Sequence, residues 1–191
     1  MPKDNKSIFI CTDCGNEFLR WEGKCSACGA WNTLKEVKAA TLSPRAGVTS
    51  GGDSQPVAFV KIKPGAQKRL STGSREFDQV LGGGLVPGSI VLLAGEPGIG
   101  KSTLLFHLCQ NLKNVLYVSG EESAPQLKMR WQRLGLKNPQ SQVLTETDVD
   151  RILAVAEEVN PQLLIIDSIQ TVYDSRYPST PGSIAQVKES A

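Results

Sequence analysis

No apolar run in these 191 residues approaches the roughly 20 needed to cross a bilayer, so no transmembrane segment is expected. Neither charge predominates. Twenty-one Lys+Arg against 19 Asp+Glu leave a formal +2, which excludes a polyanionic tail protein and a histone-like one, so affinity for nucleic acid has to come from local patches. Ahead of Cys11 there is only Ile8-Phe9-Ile10, too short for the core of a signal peptide, and a cytoplasmic protein is expected. The single histidine, His107, falls off the leucine stripe of a predicted helix and is assigned no chemistry. Hydrophobic residues make up 40% of the chain, enough to bury a core, so wholesale disorder is excluded.

Cysteine is scarce and unevenly placed. Four of the five lie between positions 11 and 28. A disulfide framework suits a small secreted chain, whereas clustered thiols in a reducing compartment read as metal ligands. Cys11-x-x-Cys14-Gly15 and Cys25-x-x-Cys28-Gly29 form C-x₂-C-x₁₀-C-x₂-C. A glycine after each pair permits the left-handed turn that aims backbone N–H groups at thiolates, and two such knuckles hold Zn²⁺ tetrahedrally. Four sulfurs leave no open coordination position, so the predicted site is structural. A unit of this size has little core, and metal binding supplies its folding energy. Cys109, alone in a later helix, reads as a small buried residue.

Three zones follow: a four-cysteine, zinc-ribbon-like finger over 1–35, a basic flexible linker over 36–69, and an α/β core over 70–191. The stretch 35–69 carries seven basic and two acidic residues, a net +5. Lys61, Lys63, Lys68 and Arg69 at its far end either touch phosphates or keep a linker solvated. Past residue 70, strand and helix patterns alternate, which predicts a parallel sheet with helices on both faces. Predicted strands are Ile90–Ala94, Val115–Val118, Gln142–Thr145 and Leu163–Asp167, and the continuous apolar run at 90–94 suits a strand buried on both faces. Leu104, Leu105, Leu108 and Leu112 stripe the helix after the first strand. Another helix has Ser123 as N-cap, Pro125 in its first turn, Leu127, Trp131 and Leu134 inward and Gly135 as its stop. Lys128, Arg130 and Arg133 on that helix form a solvated face, a DNA contact or a subunit contact.

Gly95-Glu96-Pro97-Gly98-Ile99-Gly100-Lys101-Ser102 matches G-x-x-x-x-G-K-[ST] at every fixed position, between a predicted strand and a predicted helix. The glycines let backbone N–H groups wrap a phosphate, and the helix N-terminus adds a positive dipole end. Lys101 is expected on the β- and γ-phosphates of ATP, the Ser102 hydroxyl on Mg²⁺, and Thr103 on the α-phosphate. Asp167, ending an apolar strand, is the candidate carboxylate for the metal or its waters. Glu121 and Glu122, just past the strand Val115–Val118, are the candidates for the base that orients water, and a helix-capping pair is the competing explanation.

These residues carry a resemblance. Cys11–Thr33, with Trp21-Glu22-Gly23 between the knuckles and Trp31 after them, is similar to the N-terminal finger of the RadA (Sms) family of bacterial DNA repair proteins. The core resembles that family in Leu70-Ser71-Thr72-Gly73, Leu81–Ser89, Gly95–Thr103, Tyr117–Ser123 and Ile165–Thr171. The resemblance implies a RecA-like ATPase that binds ATP or ADP, Mg²⁺ and Zn²⁺. It also implies binding of single-stranded and branched DNA, cooperation with a RecA-type recombinase, and assembly into a homo-oligomer, as a hexamer. It puts Lys101, Ser102 and Asp167 at the Walker positions, and Glu121 ahead of Glu122 as the water-activating residue.

Family members continue further, with a strand that inserts between the phosphate-loop strand and the Asp167 strand and with a Lon-protease-like domain. On that ground this chain is expected to be C-terminally truncated, and to bind nucleotide poorly, aggregate or lean on a partner. The competing reading is a zinc-dependent DNA-binding or interaction fragment without ATPase activity. A third is a signalling ATPase of the circadian-clock type, against which the finger argues.

Overall fold

The computed structural model describes residues 7–38, 57–61 and 68–191. Strands β1 (Ser7–Cys11), β2 (Glu17–Phe18) and β3 (Leu34–Lys38) form an antiparallel sheet in the order β2-β1-β3. Both Cys-x-x-Cys segments adjoin it, and Cys11, Cys25 and Leu34 make its small buried centre with Phe9, Cys14 and Phe18 packed around. A short 3₁₀ turn covers Phe59–Lys61. The remaining elements are α1 (Arg75–Val80), α2 (Lys101–Asn111), β4 (Val115–Ser119), α3 (Ala124–Arg133), β5 (Ser141–Thr145), α4 (Val149–Val159), β6 (Leu163–Asp167) and α5 (Ile184–Ser190).

Strand β4 is central. All five of its residues are buried, and it pairs in parallel with β5 on one side and β6 on the other. Because strand side chains alternate between faces, Val115 and Tyr117 enter one core and Leu116 and Val118 the other. The first core contains Phe106 and Cys109 of α2 and Leu127 of α3, with Leu85, Leu112, Leu136 and Ile165. The second contains Val149 and Ile152 of α4 with Val172. A three-layer α/β unit follows from that alternation, as the β–α pattern predicts.

Local signals mark several helix ends. In α3, Ser123 and Gln126 form a capping box and a proline stands in the first turn. Asp148 caps α4 by accepting from the N–H groups of Asp150 and Arg151, and Asn160 closes it in the left-handed conformation. Leu108 and Leu112 are buried as the stripe predicts, and His107 is exposed.

The first predicted strand is a correction. Residues 90–94 join no sheet, and Ile90 and Leu92 are 88% and 80% exposed. An extended apolar segment becomes a strand only where a neighbour supplies a hydrogen-bonding ladder. Here the described sheet ends at β6, and no described strand pairs with its outer edge. Hydropathy reports that such a segment should be covered, not which strand covers it.

Arg69, at the end of the expected linker, gives a second correction. Residues 39–56 and 62–67, including Lys63, lie outside the described residues. Arg69, expected to face phosphate or solvent, instead donates to the carbonyls of Leu81 and Gly84 at 2.8 and 3.0 Å, holding the glycine-rich turn 81–84 closed.

Gly120, just past the end of β4, is the most tightly approached of the described glycines. A Cβ there would run into the Thr171 hydroxyl and lie 2.7 Å from the Thr171 Cβ. Gly120→Ala is therefore expected to destabilise the core by about 1–3 kcal/mol, measured by denaturant unfolding. Adding Thr171→Ala should recover only the part due to the hydroxyl, because the Thr171 Cβ and the Thr147 Cγ2 at 2.9 Å remain in the way, whereas strict additivity of the two substitutions would show that the hydroxyl contact does not matter.

Candidate nucleotide site and metal centre

Residues 95–100 form a turn that ends on Gly100, the N-cap of α2, at φ 103°, with Gly98 at φ 78°. Both angles lie where a side chain is disfavoured, which is the physical reason for glycine at these two places. No side chain caps α2. The first-turn N–H groups of this helix therefore lack an intrahelical partner and present a positive dipole end. An anion is the natural cap of such an end. Lys101 bends back over the turn, its Nζ donating to the carbonyls of Gly95 and Glu96 at 2.8 and 2.9 Å. Gly95, Glu96, Pro97, Gly98 and Ile99 are exposed along the turn, Ser102 is half-buried, and Thr103 is exposed.

The carboxylates sit at the carboxyl ends of β4 and β6. Three bonds tie these ends together. The Tyr117 hydroxyl donates to Asp167 Oδ2, the Gly120 N–H donates to the Asp167 carbonyl at 3.3 Å, and the Ser168 hydroxyl donates to Glu121 Oε1 at 2.8 Å. The Asp167–Ser168 peptide bond is cis. Burial, then the hydrogen bond to Asp167, pushes the Tyr117 phenol well above its usual range, so it stays protonated as a donor. Glu122 turns the other way and pairs with Arg130 of α3 at 2.8 Å, both side chains being about seven-tenths covered. Thus the two adjacent glutamates are separated: Glu121 faces the Asp167 side, and Glu122 braces a helix. Of the basic face on α3, Arg130 is engaged in that pair and also lies over the Phe106 ring, while Lys128 and Arg133 are exposed.

Glu121 and Glu122 line an open cleft with Ser119, Gly120, Ser123, Thr145, Glu146 and Thr147. Sequence reasoning passed over Glu146, whose carboxylate accepts from the N–H groups of Thr147 and Asp148. Those bonds, then Arg151, hold its carboxyl below the usual range. Tyr117 and Ser168 lie in segments that carry the family resemblance but were given no role, since a hydroxyl inside an apolar strand or after one fits no catalytic pattern by itself. Among the described residues no hydrogen bond links residues 95–103 to Asp167 or Glu121. The connection runs through packing, because Phe106 of α2 stacks on Tyr117 with ring centroids 4.8 Å apart.

At the other end of the chain, Cys11, Cys14, Cys25 and Cys28 bring their sulfurs within 4.8 Å of one another. Cys11–Cys28 and Cys14–Cys25 are 3.7 and 3.6 Å apart. A tetrahedron with Zn–S bonds of about 2.3 Å has S···S edges of about 3.8 Å, so the cluster fits zinc. The two knuckles repeat one geometry. Gly15 at φ 73° donates to the Cys11 carbonyl, and Gly29 at φ 78° donates to that of Cys25. All four sulfurs can be thiolates together only around a cation. For Cys11, burial raises the thiol, but the Thr33 hydroxyl and the Cys14 and Asp13 N–H groups outweigh it and hold it at about 6. Cys14 is pushed up to about 12, by burial first and then by its sulfur neighbours. Cys109 stands apart as read from sequence: it is buried, and burial pushes its thiol up to about 12.

Residues 9–36 match the rubredoxin metal binding domain family, and residues 70–143 match the KaiC ATPase family. The chain is 47% identical over 192 residues to the DNA repair protein RadA of Bacillus subtilis, across 96% of its own length and 42% of that relative's. It is 45% identical over 204 residues to RadA of Escherichia coli, across 100% of its length and 44% of that relative's. To RadA of Aquifex aeolicus it is 41% identical over 189 residues. The sequence is similar to these RadA proteins along nearly all of its length. It spans well under half the length of these relatives, and both the finger and the ATPase core lie within the matched stretch.

One zinc per chain is expected by atomic emission. Chelation should unfold the finger and expose four rapidly reacting thiols to an aromatic disulfide reagent, with the fifth, Cys109, reacting only in denaturant. Five fast thiols without denaturant would contradict the burial of Cys109.

Proposed function

We propose that this chain carries the nucleotide-binding and zinc-binding parts of a DNA-dependent ATPase of recombinational repair. The observation that carries the reading is the uncapped N-terminus of α2 behind Gly95–Gly100, in a RadA-type sequence. In this reading the N–H groups of the turn and of the first helical turn bind the phosphates of ATP or ADP. Lys101 Nζ exchanges the carbonyls of Gly95 and Glu96 for β- and γ-phosphate oxygens. Thr103 contacts the α-phosphate. Ser102 and Asp167 would hold Mg²⁺, which when bound neutralises charge on the transferred phosphoryl group. Glu121 orients the attacking water and takes its proton, the Ser168 hydroxyl fixing the carboxylate that does so. Glu122 is the weaker candidate, because its pairing with Arg130 occupies it.

Single-stranded and branched DNA are the proposed substrates, with branch migration as the work done. A RecA-type recombinase is the proposed partner, a homo-hexamer the proposed assembly and the cytoplasm its place. The exposed, unladdered segment 90–94 favours a second reading for the chain as it stands, a zinc-dependent DNA-binding or interaction fragment without turnover.

ATP hydrolysis by the 191-residue chain, with and without single-stranded DNA, tests both. DNA-stimulated turnover that disappears in Lys101→Ala is expected from the first reading. Zinc and DNA bound without turnover would give the second. Glu121→Gln should lower turnover by about 10²–10⁴-fold while nucleotide affinity stays within about twofold, and Glu122→Gln should change turnover less than tenfold. The opposite ranking would exchange their roles.

A further inference from the structure

We propose that Tyr117 is a positioning residue for the metal-binding side of the nucleotide site, setting the Asp167 carboxylate against the face of α2 that carries Ser102. The proposal rests on the phosphate-loop reading above and names a residue outside Gly95–Ser102 that the sequence reading gave no role.

Its basis is a continuous line of contacts. Ser102 and Phe106 are four residues apart in α2 and so lie on one face of the helix. The Phe106 ring is stacked on Tyr117 at an interplanar angle of 12°. In the parallel register Tyr117 stands beside Ile165 and Ser119 beside Asp167. Alternation along β6 then puts Asp167 on the same sheet face as Ile165, which packs in the core formed with α2. Tyr117 leans toward the carboxyl end of the sheet, and its hydroxyl reaches Oδ2 of Asp167. The other oxygen, Oδ1, accepts no hydrogen bond among the described residues, which leaves it for a cation or its waters.

Packing does not account for the hydroxyl. Phenylalanine would fill the same space and stack on Phe106 equally, and burying a polar group in this core carries a cost that only its acceptor offsets. A carboxylate at a strand end, held by nothing else, rotates about two bonds. One bond from Tyr117 restricts it, and the stack transmits the position of α2 to that bond. Partners of this kind, one shell out from a metal, orient the groups that hold it.

Tyr117→Phe separates this role from packing. Binding of a fluorescent ATP analogue to the 191-residue chain is measured in Mg²⁺-free buffer and across a Mg²⁺ titration. Metal-free affinity is expected to stay within about twofold of the unsubstituted chain. The Mg²⁺ needed for half of the metal-dependent gain is expected to rise about tenfold. Asp167→Asn should show the same defect, and adding Tyr117→Phe to it should bring no further loss. A Tyr117→Phe titration that superimposes on the unsubstituted one overturns the proposal. So does equal loss of affinity with and without Mg²⁺ together with a lowered melting temperature, which would make the hydroxyl structural. If the unsubstituted chain binds no analogue in either buffer while Lys101→Ala behaves identically, the phosphate-loop reading fails first and this inference with it.

Discussion

Strand β4 is the constraint on which the α/β unit depends. It is the one strand with a parallel neighbour on each side among the described residues, and it supplies alternate side chains to both cores. Val115 and Tyr117 meet α2 and α3, while Leu116 and Val118 meet α4. A shift of one residue in its register would send each set to the wrong layer. The functional groups inherit their places from this strand. Its end delivers Gly120, Glu121 and Glu122 to the carboxyl edge of the sheet, where ligands bind in open α/β folds, and its third residue delivers the Tyr117 hydroxyl to Asp167.

At that edge, neighbouring groups assign the roles. Two adjacent glutamates of the same chemistry leave β4 in different company. Ser168 meets Glu121 across the gap to β6, whereas Arg130 of the next helix meets Glu122. The phosphate turn is organised on a different principle, since the N-terminus of α2 is built from backbone N–H groups and glycine conformations and is formed without any side-chain cap. Lys101 spans its own turn through two carbonyls. A long, flexible ammonium exchanges such partners at low cost, while the fixed turn beneath it keeps its shape.

The finger solves a different problem. Its sheet has two-residue and five-residue strands, and its buried hydrophobic residues are only Ile10, Cys11, Cys25, Leu34 and Val37. So small a core cannot offset the entropy of ordering the chain. Four thiols brought to tetrahedral spacing convert metal affinity into folding free energy instead. The turn glycines of the two knuckles place backbone N–H groups so that this spacing is reached twice by the same local geometry.

Much of this was legible in the residues alone because it is local. Glycines at the knuckles and in the phosphate turn, the Ser123 cap, the leucine stripe of α2 and the apolar runs of β4 and β6 each act within a few residues, so spacing reveals them. The run at 90–94 misled for the same reason: its composition suits a covered strand, but coverage belongs to a neighbour elsewhere in the chain. Choosing Glu121 over Glu122 by geometry, engaging Arg69 with the turn at 81–84, and bonding Tyr117 to Asp167, fifty residues away, required the fold. Sequence determined which chemistry is present and the local shape of each motif, since both follow from residue type and near-neighbour backbone geometry. Tertiary structure decided which groups meet, because strand order and the facing of alternate side chains are set only when distant segments pack.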